Sequence, residues 1–388
     1  MTSVRKVLII GGGIGGLTCA AAMGQRGLYV DLIEQKPVHN ALGVGIIQPG
    51  NALRALDSLG VMDACMSAGF QSDDYVYYDA HENELARLQM RRIADKNQPA
   101  VNFLPRVALH RILADAAVRA GACVRMGVTA DWLADRGTGV DVRFSDGTTG
   151  TYDFVVGADG IRSKSRAMLF GDEIQPSYTG HGVWRVTVPR PADHTFQSIH
   201  YGVAAKAGLV PLTRESMYLL LVTNEPAGHW FEANELLPAL KARLHQFDGP
   251  RIQRVTNDLD GGSAIVYTAI EEVILPAPWY RGRTLLIGDA AHASGPHIAQ
   301  GATMAIEDAC VIADELAKDQ SLDAALDAFM RRRLPRCRFV QEFSRKMGEE
   351  GQLTDPDQCA ARNERFRVSF ASTTPQARPH EAFLAEPI

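Results

Sequence analysis

The chain has 388 residues, of which 46% are hydrophobic and 22% charged, and its net charge is −5. At that length a single hydrophobic core stops growing, so one large unit or two interlocked ones are expected. The mildly acidic balance gives no electrostatic footprint for nucleic acid and no basic patch for an anionic membrane.

Val4 to Ile10 is a short β-branched run too brief for the core of a signal peptide. It leads into GGGIGG at residues 11–16, and an Ala-rich stretch from Leu17 to Arg26 reads as a helix stopped by Gly27. Tyr29 to Ile33 resumes as a strand. This order of strand, glycine turn, helix and strand is the setting in which G-x-G-x-x-G means dinucleotide binding. Gly11 allows the tight turn, Gly13 lets a pyrophosphate approach the backbone, and Gly16 lets helix and strand pack closely. The helix N-terminus supplies amide donors to the phosphate. Glu34, 23 residues after Gly11, stands where a carboxylate accepts a ribose hydroxyl.

Asn51 to Leu59 reads as a helix, Tyr75 to Tyr78 and Leu85 to Met90 as strands, and Leu109 to Arg119 as a helix ending at Gly121. Val140 to Phe144 and Tyr152 to Val156 flank Asp146-Gly147, a hairpin signal whose second arm runs into GADGIRSKSR, residues 157–166. Strand-like runs follow at Gly182–Val188, Gln197–Val203, Met217–Thr223 and Ala264–Val273, with one helix near Asn234–Gln246. A mostly antiparallel sheet inserted between two halves of a nucleotide-binding domain is the expected arrangement. Arg283 to Ile287 is a strand that delivers Gly288-Asp289 at its end, and Met304–Leu316 and Leu322–Glu349 are helical. Arg331-Arg332-Arg333 reads as a solvated helix face, and the tail from about residue 352 as loosely held. The expected domains are 1–175 and 276–330 for the nucleotide fold, 176–275 for the substrate sheet and 331–388 for a C-terminal helix and tail. No apolar run is long enough to span a bilayer, and the six cysteines are scattered without C-x-x-C. No metal site is signalled, and a cytoplasmic, reduced setting is the default expectation.

Three motifs in order, GGGIGG with Glu34, then A-D-G-I-R-S-K-S-R, then G-D-A-A-H with P-x-x-x-Q-G behind it, resemble the single-component flavoprotein monooxygenases of the p-hydroxybenzoate hydroxylase type. The resemblance runs to about residue 345 and is nearest the salicylate, 6-hydroxynicotinate, 3-hydroxybenzoate and urate hydroxylase branch. It implies an α/β fold with a glutathione-reductase-type FAD domain, FAD as cofactor, NADH or NADPH and O2 as co-substrates, and a homodimer. It implies further that O2 adds at flavin C4a and that the terminal oxygen then attacks an electron-rich ring. By the same resemblance Gly11, Gly13, Gly15, Gly16, Glu34, Gln35, Gly45, Arg106, Val128 and Asp159 would contact the cofactor, with Arg166 as structural partner of Asp159. Asp289 would bind the ribityl chain, and the backbone of Gly301, Ala302 and Thr303 the pyrimidine edge, where amides stabilise reduced flavin.

A phenol or hydroxypyridine reacts better once its proton is shared with a base. Pro296, His297 and Tyr218 are the catalytic candidates: the first two lie on the loop that the family places over the flavin. Gln48, Arg185, Tyr201 and Lys206 join Tyr218 and His297 as substrate candidates, Arg185 because a guanidinium suits a carboxylate. His292 reads as a structural hydrogen-bonder. A flavin halogenase would carry paired tryptophans where GVWRVTVP has one. A flavin reductase without oxygen insertion stays open as the alternative.

Overall fold

Lys6–Ile10 sits inside a six-stranded sheet in the order Tyr280–Arg281, Thr284–Leu286, Phe154–Gly157, Lys6–Ile10, Tyr29–Glu34, Cys123–Met126. The computed structural model describes residues 4–38, 44–93, 97–371 and 379–388. All pairings in this sheet are parallel except that of the edge strand Tyr280–Arg281. A parallel sheet is covered on both faces, which is why Val7, Leu8 and Ile9 are all fully buried rather than alternating. The helices Ile14–Gln25 and Gly301–Ala317 pack on each other against it.

The hairpin at Asp146-Gly147 forms, but its second arm is Thr149–Tyr152, not Tyr152–Val156. Phe154–Gly157 is a separate strand, parallel to Lys6–Ile10 and Thr284–Leu286. Asp153 makes the change of sheet: its carboxylate accepts the amides of Arg5 and Lys6, each at 2.8 Å.

The second large sheet has seven strands in the order Ile265–Glu272, Ser177–Pro189, Ser216–Asn224, Ala205–Pro211, Gln197–Tyr201, Asp74–Asp79, Glu84–Gln89. It draws its last two strands from ahead of residue 176. Ala205–Pro211 was not legible as a strand because its sequence, AKAGLVP, is poor in β-branched and aromatic residues and carries Gly and Pro. One face, with Trp184, Val186, Leu219 and Leu221, packs on the helices Leu236–Leu244 and Pro250–Asp258. The other face looks toward the nucleotide fold, and the cavity lies between them.

Two expectations fail near the C-terminus. Arg333 is not solvated but 0% exposed, because the turn of Leu322–Gly351 that carries it packs on Gly301–Ala317, where Glu307 and Asp308 are its partners. The tail is not loose over its described part: Pro356–Ala371 is a helix whose Arg362 is also fully buried. Residues 372–378 of that tail lie outside the described residues. No described helix is long and apolar enough to cross a membrane.

Candidate active site

The glycine turn is shaped as its spacing requires. Gly11, at φ +110°, donates its amide to Ile33 O at 2.8 Å. A Cβ on Gly13 would meet nothing within 4 Å, which leaves the approach to its backbone open, whereas a Cβ on Gly16 would overlap the Gly11 carbonyl. Glu34 accepts the Gly12 amide at 2.8 Å and the Lys36 amide at 2.9 Å, so the acid also braces the turn. A cleft of about 280 Å³ opens here, lined by Glu34, Gln35, Arg106 and Asp159 among others. His110, which the sequence reading missed, reaches Gly12 O with Nε2 at 2.8 Å. Val128 is buried and does not line this cleft, where its neighbour Thr129 does.

Asp159 accepts Ser163 Oγ at 2.5 Å and the Ser165 amide at 2.8 Å, fixing the start of the helix Lys164–Phe170. Arg166 makes no direct pair with it. Its guanidinium donates to the carbonyls of Ile161, Ile174 and Ala290, and its amide to Ser163 Oγ.

A larger cavity of about 960 Å³ continues from this cleft. Gly13, Gly15, Gly45, Arg106, Asp289, Gly301 and Ala302 line its nucleotide side. Asp289 stands exposed at the first turn of the short helix Asp289–His292, and Gly288 before it has φ +59°. The free amides at the start of Gly301–Ala317 face this space, and the Thr303 hydroxyl is buried without a partner. Thr303, unlike Gly301 and Ala302, does not line the cavity, but an open glycine turn, a helix N-terminus and an exposed carboxylate together fit a flavin dinucleotide. Gly13 and Gly15 would take the pyrophosphate, Asp289 the ribityl chain, and Gly301 with Ala302 the ring edge.

The opposite wall is the sheet. Arg185, Tyr201, Lys206 and Tyr218 line the cavity, as do Pro296 and His297 from the facing loop. Gln48 does not. It is buried below the wall, where its Oε1 accepts Asn102 Nδ2 at 2.7 Å. Burial lowers the Arg185 pKa, and the ionisable groups felt there are Tyr218 and Arg106, with no carboxylate among them. Burial holds the Tyr218 phenol up at about 12, against the pull of Arg185. Burial, then the charge of Arg362, brings Lys206 down to about 7, and its Nζ donates to Met347 O at 3.0 Å. His297 is pushed well below the usual histidine range by burial and then by Lys206, and its Nδ1 is buried without a partner. Two glycines of the long helix make room for this pair. A Cβ on Gly348 would stand 2.7 Å from His297 Nε2, and one on Gly351 2.6 Å from Lys206 Cδ.

Behind the flavin side lies a buried ion network that spacing alone does not reveal. Asn51 donates to Gln300 Oε1 at 3.0 Å and to Glu307 Oε1 at 3.1 Å. Asp308 takes the Gly288 amide at 3.0 Å, His292 Nε2 at 2.6 Å and Arg333 Nε at 2.7 Å. His292 is thus structural, as expected. His292, Asp308 and Cys337 have ligand atoms within 4.8 Å of one another, but the Arg333 guanidinium already occupies Asp308, and no metal reading follows.

Burial alone would raise the Asp308 pKa, yet His292 and Arg333 outweigh it and bring the group to about 2. An acid with a depressed folded pKa contributes stability above its unfolded value, near 3.8, and loses it as the pH falls toward the folded one. The urea midpoint is therefore expected to drop between about pH 4 and pH 2, within the range of carboxylate titration. A midpoint flat through that window would contradict this account.

A family model described as an FAD binding domain matches residues 5–344. YetM of Bacillus subtilis, assigned as an FAD-dependent monooxygenase, is 33% identical over 344 residues, covering 88% of this chain and 92% of its own. A 6-hydroxynicotinate 3-monooxygenase of Bordetella bronchiseptica is 30% identical over 374 residues, 92% of this chain and 95% of that one. The crystal structure of Klebsiella pneumoniae HpxO complexed with FAD and uric acid matches with a TM-score of 0.85 at 24% identity, over 95% of this chain and 94% of that chain. That last likeness speaks to the fold.

Proposed function

Since the chain belongs to the FAD binding domain family and is an FAD-dependent aromatic monooxygenase, we propose that its substrate is a small electron-rich aromatic or N-heteroaromatic acid, hydroxylated with NAD(P)H and O2. The observation that carries the substrate class is Arg185. A guanidinium in a cavity wall with no carboxylate acting on it among the described residues is costly unless a ligand supplies the anion. Its planar fork suits a carboxylate.

Bound FAD supplies the oxygen-activating chemistry. The chain's own residues bind, orient and handle protons. Arg185 would hold the carboxylate and so fix which ring carbon faces the flavin. Tyr218, kept protonated by burial, would donate to the substrate rather than act as base. His297, kept neutral by burial, would accept a hydrogen bond from the ring hydroxyl and so leave the ring richer in electrons. Pro296 opens the turn Pro296–Ile298 and would present His297 to the cavity. The apolar remainder of the wall, Val183, Leu220 and Val222, would keep water from the reacting atoms.

The test is stopped-flow flavin absorbance with NADH or NADPH across hydroxybenzoates and hydroxypyridine carboxylates, with product and peroxide assayed in the same wells. At least one acid is expected to speed flavin reduction and to yield about one hydroxylated product per reductant consumed. Fast reduction without any aromatic, with electrons passing to another acceptor, would replace this reading by the reductase alternative. For the productive acid, Arg185→Gln is expected to weaken binding by about 2–4 kcal/mol, roughly 30- to 1000-fold, with FAD still bound. Unchanged affinity in that variant would remove Arg185 from the substrate site.

A further inference from the structure

The cavity is longer than a single ring needs. Arg185, Leu220, Ile199 and Tyr77 all line it, and they lie in one row across five strands: Arg185 pairs with Leu220, Leu220 with Gly208, Gly208 with Ile199, and Ile199 with Tyr77. Four strand spacings amount to about 19 Å. Gly208, in the middle of the row, does not itself line the cavity: the Ile199 side chain lies over it, with Cδ1 2.7 Å from where a Cβ would stand.

Beyond Ile199 the character of the wall changes. Tyr75, Tyr77 and Tyr201 gather there, and the C-terminal helix Pro356–Ala371 completes the enclosure. Phe366 stacks on Tyr77 with ring centroids 5.5 Å apart and meets Tyr201 edge-on at 5.1 Å. Arg362 pins the helix in place. It donates to Gly202 O at 3.2 Å and to Glu350 O at 3.1 Å, and lies 4.9 Å over the Tyr201 ring. The helix lies past residue 344, where the match to the family model ends, whereas Tyr75, Tyr77 and Tyr201 lie within it.

We propose that Tyr77, Tyr201 and Phe366 form a second, aromatic subsite, with the helix Pro356–Ala371 as the chain's own specificity wall. It takes an apolar aryl or alkyl substituent carried by the acid that Arg185 holds. The inference rests on the anionic-substrate reading above. The three rings pack on one another, so the substituent would lie against their shared cavity-side surface rather than between them, and that surface favours a flat or chain-like apolar group.

The experiment uses FAD-loaded full-length protein. Dissociation constants are read from the perturbation of flavin absorbance, for salicylate and for its phenyl derivatives at each open ring position. At least one isomer is expected to bind ten times tighter than salicylate. Phe366→Ala is expected to shrink that advantage below threefold while salicylate's own constant moves by less than threefold. If salicylate binds and no isomer binds tighter, the subsite does not exist. If Phe366→Ala weakens parent and isomer equally, Phe366 acts on the fold and the proposal also falls. Should that variant not fold, the wild-type comparison decides alone. A failure of the hydroxylase reading is distinguishable, because it shows as reductant consumed without oxygenated product, whereas the subsite is judged by the ratio of two affinities.

Discussion

Arg333→Met is expected to cost about 3–5 kcal/mol of folding stability, read as a lowered urea midpoint. The side chain is 0% exposed, with Nη1 on Glu307 Oε2 at 2.6 Å and Nε on Asp308 Oδ1 at 2.7 Å. Methionine fills much of the same volume, so the effect isolates the charge. Two carboxylates would remain in the interior with Arg336 and His292 as their remaining ion-pair partners. The damage should also reach the cofactor, since Asp308 holds the Gly288 amide one residue before Asp289. Arg333→Lys should recover only part of the loss, because one ammonium cannot hold both acids in the geometry of the guanidinium fork. A midpoint within about 1 kcal/mol of wild type for Arg333→Met would mean that the network is not an element of stability.

Gly16→Val is expected to yield protein without flavin. Its Cβ would fall on the Gly11 carbonyl, and Gly11 cannot retreat, since its amide is tied to Ile33 O and a Cβ of its own would collide with Ala158. Overpacking a rigid contact costs about 1–3 kcal/mol and more where the backbone cannot move. Spent on the turn that must receive the pyrophosphate, the upper end corresponds to a loss of roughly a hundredfold in FAD affinity. Gly13→Ala provides the contrast. Its Cβ meets no protein atom within 4 Å, so the apoprotein should keep its unfolding midpoint while FAD binding weakens. Purified Gly16→Val carrying one FAD per chain would refute the close-packing role. Equal midpoint losses in the two variants would refute the distinction between them.

These expectations separate two kinds of information in the chain. The dinucleotide turn, Glu34 and the strand that delivers Asp289 were legible in sequence because their geometry is local. Glycine positions, a helix start and a strand end are set by a few consecutive residues, and the backbone there admits few alternatives. The ordered motifs carried the cofactor and the reaction class for the same reason. The inserted, mostly antiparallel sheet was legible from its strand-like runs of β-branched, aromatic and aliphatic residues, except at Ala205–Pro211, whose Ala, Lys, Gly and Pro are weak strand formers.

Other features belonged to tertiary structure alone. Lys206, Tyr218 and Gln48 were all candidates in sequence, but only register places Lys206 and Tyr218 on the cavity face with Arg185, while Gln48 is turned under the wall by Asn102. Arg333 read as a solvated charge and Arg362 fell in a tail read as loosely held, because their partners are 25 residues away in one case and 160 in the other. A charge is solvated or buried according to what packs on it, and composition carries no record of that. Sequence thus determined that this protein binds FAD and oxidises aromatics; packing across distant segments decided which residues face the cavity and that the C-terminal helix contributes Phe366 to its wall.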